Sequence, residues 1–248
     1  MGLCSRAMWS ALLLPETLVR DVLMRVPGAP RGFARHRVDY CCHGALTVAE
    51  ASARVDADPA AVLAALAEEA ANPDAEPPWG DSFEHMPLAD LVAHLTETVH
   101  PQCRRDVAAL RGMCPAEGPV ARAVTQLCDE LDAHLAFEER YLFPYVVALE
   151  QTNDLPVALF DTVYEPCQML LREHESADHG LDALRALTDD YRPHPDADAA
   201  TRDLYPALAD YDRALVRHMH LEGNVLFPRA QQLEDRVRAA RDRQRRRR

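Results

Sequence analysis

The sequence predicts an all-α protein: an up-down-up-down four-helix bundle preceded by a small helical domain. Three observations carry this. Apolar residues recur at helical spacing through residues 88–232, as in Val124, Leu127, Leu131 and Leu135, and no stretch alternates with the period of a strand. The joints between the long helical stretches are short, which makes neighbours antiparallel. Residues 72–87 concentrate the breakers Asn72-Pro73, Pro77-Pro78, Trp79-Gly80 and Pro87, so they read as a linker between two parts.

In the first part, residues 16–71, an amphipathic stretch from Glu16 to Val26 ends at Pro27-Gly28. Thr47-Val48-Ala49-Glu50 is a capping box that opens a further helix. Asp58-Pro59 is an N-cap followed by proline at the first helical position, and the alanine-rich helix after it runs to Ala71. Between these helices lies the loop Val38-Asp39-Tyr40-Cys41-Cys42-His43-Gly44. In the second part, residues 88–232, the four long helices are expected at Leu88 to Arg111, Pro119 to Glu150, Leu155 to Asp190 with a kink at Pro166, and Ala199 to Leu233. The arginine-rich tail, 233–248, reads as a fraying helix end or disorder.

Composition narrows the function classes. The 248 residues are 48% hydrophobic, enough for a buried core. Lys+Arg is 27 against Asp+Glu 40, and a net charge of −13 argues against nucleic acid as the main partner. The apolar run Ala7 to Leu14 is too short to span a bilayer and lacks a signal-peptide cleavage site. Met1-Gly2 begins like a myristoylation signal, but Arg6 stands where Ser or Thr is needed. A soluble, cytoplasmic protein without a membrane partner is the expectation. Seven scattered cysteines do not read as a disulfide framework, and no Cys-x-x-Cys pair exists to hold zinc or an iron–sulfur cluster.

The motif that carries chemistry is His-x-x-x-Glu-x-x-x-Leu-Phe-Pro, which occurs twice: at His134, Glu138, Leu142, Phe143, Pro144 and at His218, Glu222, Leu226, Phe227, Pro228. Positions i and i+4 share a helix face, so each copy points an imidazole and a carboxylate at one spot. In this topology the second and fourth helices lie diagonally, and the two pairs face each other across the bundle axis. A single His/Glu pair at this spacing is usually a surface contact. Two copies in matched register, flanked by apolar residues, instead describe two halves of a dinuclear metal site. Carboxylates can bridge two ions, which assigns Glu138 and Glu222 as bridges and His134 and His218 as terminal ligands. The first helix offers His94 or His100, and the third offers His174. Imidazole with carboxylate suits iron, manganese or zinc. Glu139, Glu173 and Tyr141 are candidates for residues that orient the ligands from behind. His220 points nearly opposite His218 on a helix and is expected to be exposed.

At these residues the chain resembles hemerythrin-type di-iron helices, and the loop at 38–44 resembles the Asp-Tyr-Cys-Cys-Gly-Gly signature of a small N-terminal domain. Together they resemble the RIC (repair of iron centres) family, the ScdA or YtfE type, over roughly residues 16–232. The resemblance implies a hemerythrin-like bundle with two non-haem iron ions, oxo- and carboxylate-bridged. It implies the ligand set His100, His134, Glu138, His174, His218 and Glu222, and so favours His100 over His94. It further implies protection or restoration of iron–sulfur clusters damaged by nitric oxide or peroxide, by iron donation or nitric oxide reduction. Damaged iron–sulfur proteins, nitric oxide or O2 and a second copy of the chain are then the expected partners. Cys41 and Cys42 become candidate functional thiols. The alternative is an O2- or NO-binding or sensing module without turnover. The chain departs from the pattern at His43, which replaces the first glycine; a position requiring φ > 0 would tolerate it poorly. Cys103, one turn past His100, reads as a small buried hydrophobe.

Overall fold

A computed structural model describes residues 9, 11–41, 43–79, 83 and 85–246. The described residues are helical, with one isolated bridge between Leu18 and Thr47 and no strand. Two compact units emerge: Met1–Met86 with Met219–Val225, and Pro87–His218 with Leu226–Arg248.

The first unit contains α1 (Val19–Arg25), α2 (Ala29–Ala34), α3 (Val48–Ala53) and α4 (Pro59–Ala71). The Thr47–Glu50 capping box forms in both directions, and the Asp58 side chain accepts from the Ala60 N–H, so α3 and α4 start where their sequences dictate. Helix α2 lies so close to α4 that a Cβ on Gly32 would meet Leu66 Cδ2 at 2.7 Å. Val22, Leu23, Phe33, Val48 and Leu66 are fully withdrawn from water and form the unit's core. Each such side chain contributes roughly 1.5–3 kcal/mol.

Four helical runs follow along the chain; they make up the second unit, except for Met219–Val225 of the fourth, which belongs to the first. The first is α5 (Leu88–His94), a π-helical turn at Leu95–Val99, and α6 (His100–Met113). The second is α7 (Pro119–Phe137), a π turn at Glu138–Leu142, and α8 (Phe143–Thr152). The third is α9 (Tyr164–Leu187). The fourth is α10 (Ala199–His220), a π turn at Leu221–Leu226, and α11 (Phe227–Arg246). Helix α9 packs along α7, α5 along α8, and α6 beside α7, which makes the bundle. Buried Leu91, Leu95, Leu127, Leu135, Leu142 and Leu170 fill its axis.

Charged groups lock the runs to one another. Both Glu150 oxygens accept from the first N–H groups of α5, Leu88 and Ala89, at 2.8 Å each. A carboxylate there satisfies donors that the helix itself leaves open. Arg185 on α9 grips Asp212 on α10 with two nitrogens at 2.8 and 2.6 Å. Buried Glu234 accepts from the Val163 N–H at 3.1 Å, from the Tyr145 hydroxyl and from Arg238. Arg238 also donates to the Asp161 carbonyl.

Several expectations are corrected. The third run starts at Tyr164, not Leu155. Residues 153–163 are a loop closed by Glu234, and Pro166 lies in the first turn of α9, where its missing N–H costs nothing and bends nothing. The arginine-rich end continues as helix to Arg246. The π turns were not predicted. In each case the residue just after the turn precedes a proline: His100-Pro101, Phe143-Pro144 and Phe227-Pro228. Proline cannot donate to the carbonyl four residues back. The preceding N–H reaches five residues back instead, from His100 to Leu95 and from Phe143 to Glu138. The Leu-Phe-Pro ending of the repeated motif is thus the local cause of a π turn, a device common at functional sites.

Candidate metal centre

The four runs each bring one buried imidazole to a common place. The ring centroids of His134 and His174 are 4.9 Å apart, those of His100 and His218 5.2 Å, and those of His134 and His218 5.8 Å. None of these four residues is more than 6% exposed. Glu138, fully buried, sits among them: its Oε2 is 3.4 Å from His134 Nε2 and 3.6 Å from His100 Nε2. His174 Nε2 faces His134 Nε2 at 3.4 Å. Candidate ligand atoms of His100, Glu138 and His218 lie within 4.8 Å of one another. Glu222 is fully buried and follows His218 by one turn along the fourth run.

Hydrogen bonds behind the cluster set the tautomers. His100 Nδ1 lies 2.8 Å from Glu139 Oε1, and His134 Nδ1 lies 2.9 Å from Glu173 Oε2. A carboxylate only accepts, so both Nδ1 atoms carry the proton and both Nε2 lone pairs face inward. Arg104 donates to both Glu139 oxygens, at 2.9 and 3.0 Å. Burial works to raise the Glu139 carboxyl, but hydrogen bonds from Arg104 and His100 overcome it and hold it below the usual carboxylate range. Glu139 is therefore an anion behind His100. Tyr141 does not take the orienting role considered for it; its ring packs on Phe137 and under Arg140.

The donor set fits a metal ion. Two donors at about 2.1 Å from one ion, at octahedral or tetrahedral angles, stand about 3.0–3.4 Å apart. The pairs around Glu138 and His134 are within a few tenths of that range. A carboxylate withdrawn from water is stabilised by a cation beside it, and inward imidazole lone pairs are ligands rather than counter-charges. The set of N and O donors matches iron, manganese or zinc and not a soft ion. His94 is not part of this cluster. It is half-buried in the turn before the π segment, with its pKa lowered by burial and then by the charge of Arg217. The π turn at 95–99 separates the faces that carry His94 and His100.

Within the first unit, Asp39 organises the cysteine loop. Its Oδ1 accepts from the Cys41 N–H at 3.1 Å and from the Cys41 thiol at 3.4 Å, and its other oxygen pairs with His43 Nδ1. Cys41 is 2% exposed, and Cys42 lies outside the described residues. His43 is not among the residues with positive φ, so this backbone accepts a side chain where the signature has glycine. Gly44 has a different reason: a Cβ there would come within 2.0 Å of Asn224 Oδ1. Asn224 Nδ2 donates to the Cys41 carbonyl at 2.8 Å and reaches His220 Nδ1 at 2.9 Å. His220, expected to be exposed, is instead buried, with its ring 5.2 Å from Trp79. The expectation failed because it treated the helix as having one buried face.

Sequence reasoning did not single out Arg104 or Asn224. Each had a signal at helical spacing, four residues after His100 and four after His220.

Comparison with known proteins finds two family models along the chain. The Hemerythrin HHE cation binding domain family model matches residues 91–230, and ScdA_N, described as a domain of unknown function, matches residues 16–70. The chain is 29% identical over 228 residues to the iron-sulfur cluster repair protein YtfE of Musicola paradisiaca, covering 87% of this chain and 96% of the relative. It is 30% identical over 223 residues to the protein of that name from Edwardsiella ictaluri, covering 85% and 94%. The Citrobacter koseri protein of the same name is 28% identical over 221 residues, covering 85% and 94%. The chain thus carries a hemerythrin HHE cation-binding domain, inside which the buried His/Glu cluster lies, and it belongs to the repair-of-iron-centres family.

Proposed function

We propose that this chain is a non-haem di-iron protein that protects or restores iron–sulfur clusters under nitrosative and oxidative stress. The observation that supports this best is a buried His/Glu cluster inside a chain matched over both parts by relatives named for iron–sulfur cluster repair. The proposed ligands are His100, His134, His174 and His218, with Glu138 and Glu222 as bridges. Bound iron would supply redox chemistry and a stock of exchangeable metal. The chain's own residues do the rest. Glu139 and Glu173 hold the Nδ1 protons of His100 and His134, so that Nε2 stays available. Leu135, Leu142, Phe143, Leu170 and Phe227 exclude water around the donors. Cys41, with its thiol held on Asp39, and Cys42 are the proposed functional thiols of the 16–71 domain. Damaged iron–sulfur proteins are the proposed partners, with nitric oxide or O2 as small ligands, in the cytoplasm. No helix among the described residues is long and apolar enough to cross a membrane.

The test is reactivation of a nitric-oxide-treated [4Fe–4S] enzyme. The iron-loaded chain is expected to restore its activity, and the Glu138→Leu variant to restore none. A reversible absorption change with nitric oxide or O2, without reactivation, would instead identify a binding or sensing module.

A further inference from the structure

We propose that Arg104 makes the two metal positions of the bundle unequal, so that the ion on the His100 and His218 side leaves first. This rests on the di-iron reading above and concerns only how its two positions differ.

The starting observation is an asymmetry behind two equivalent histidines. His134 Nδ1 donates to Glu173, and among the described residues Glu173 pairs with His134 alone. His100 Nδ1 donates to Glu139, and that carboxylate is also held by both guanidinium nitrogens of Arg104. A carboxylate behind a ligand imidazole draws the Nδ1 proton toward itself and makes Nε2 a better donor. A bidentate guanidinium takes up much of that negative charge, because such charge-assisted pairs are the strong ones. Glu139 therefore has less charge to lend than Glu173, and His100 is the weaker donor. Glu138 stands between both imidazoles, at 3.6 Å from His100 and 3.4 Å from His134, so it does not even out the difference.

A second observation falls on the same side. An open cleft of about 450 Å³ is lined by Glu139, Phe143, Thr96 and Val92 with their neighbours. The Phe143 ring is 5.4 Å from the His100 ring. The cleft therefore opens onto the carboxylate that orients His100, where a departing ion or an incoming chelator needs room. The weaker donor and the opening coincide. Arg104 is a positioning residue here: it touches neither metal nor substrate and acts through Glu139.

The experiment loads the full chain with ferrous iron under anaerobic conditions, counts the iron, and follows its transfer to a ferrous-specific chelator by absorbance. Wild type is expected to release iron in two phases of equal amplitude. Arg104→Ala should slow the fast phase about tenfold, the low end of the effect of residues behind metal ligands. Arg104→Lys, which keeps the charge but loses the two-nitrogen grip, should fall between wild type and Arg104→Ala. Glu173→Gln should speed the slow phase by a similar factor. Arg104 is exposed, so its replacement leaves the fold intact. Two irons leaving in one phase, or a fast phase unmoved or quickened by Arg104→Ala, would overturn the inference and leave the di-iron reading standing. Uptake of fewer than two irons would overturn both.

Discussion

His134 and His174 face each other nitrogen to nitrogen, Nε2 to Nε2 at 3.4 Å, in a place closed to water. The Nδ1 proton of His134 is committed to Glu173, so its inward nitrogen is a lone pair. Two ligands that share one ion stand at about this separation, and α7 and α9 hold the two rings in place through their long contact.

Removing the carboxylate between the imidazoles should abolish metal binding without unfolding the bundle. For Glu138→Leu, iron is expected to fall from about two per chain, the content of di-carboxylate bundles, to below one, with the helical circular dichroism unchanged. Elemental analysis of the two proteins side by side checks this; undiminished iron in the variant would remove Glu138 from the ligand set.

The cysteine loop is expected to matter for repair and not for metal content. Replacing Cys41 and Cys42 together by serine should leave iron per chain near wild type and reduce reactivation of a damaged cluster enzyme at least severalfold. Unchanged reactivation would reduce Cys41 to a buried hydrophobe tied to Asp39.

Alkaline pH should destabilise the protein. Burial pushes the Cys128 thiol from its ordinary 9.0 up to about 11, and burial also raises Cys167, Tyr145, Tyr191 and Tyr211. A raised folded-state pKa keeps the proton on the native chain after the unfolded chain has lost it. The stabilisation is complete below the unfolded value and is lost as pH rises through the folded one. Thermal midpoints should therefore fall between about pH 9 and 11, and Cys128→Ala should make the fall shallower. A midpoint flat across that window would contradict these shifts.

Glu234 should be a stability residue with no part in metal binding. Glu234→Ala would leave the buried Val163 N–H and Tyr145 hydroxyl without their acceptor. Two buried donors left without their acceptor cost on the order of 2–4 kcal/mol together. A drop of several degrees in the thermal midpoint with iron content unchanged is the expected pair of results. A variant that also loses iron would tie Glu234 to the site.

Much of the molecule is readable from side-chain spacing. His134 with Glu138 and His218 with Glu222 stand out because a four-residue step survives any helical context, and Thr47 to Glu50 and Asp58 to Pro59 start their helices by local hydrogen bonding alone. Features set by distant partners are less legible. The choice between His94 and His100 turns on the π turn at 95–99, which changes the facing of every residue after it. The start of α9 is fixed by Glu234, 71 residues away from the Val163 it caps. His220 is buried because the Met219–Val225 segment of the fourth run belongs to the first unit, where Trp79 and Asn224 surround its ring. No helical-wheel argument on one segment contains that information. The prolines at 101, 144 and 228 were visible all along, and their common place after a His or Phe is the signal by which the π turns could have been foreseen.

The central claim is a two-iron centre in this bundle, and the most direct measurement is iron per chain with a Mössbauer spectrum, on protein purified without oxygen and before and after nitric oxide. The expected result is two irons in non-haem sites whose signals change on exposure to nitric oxide. Protein that is folded, free of iron after anaerobic purification and unable to take it up would contradict the claim.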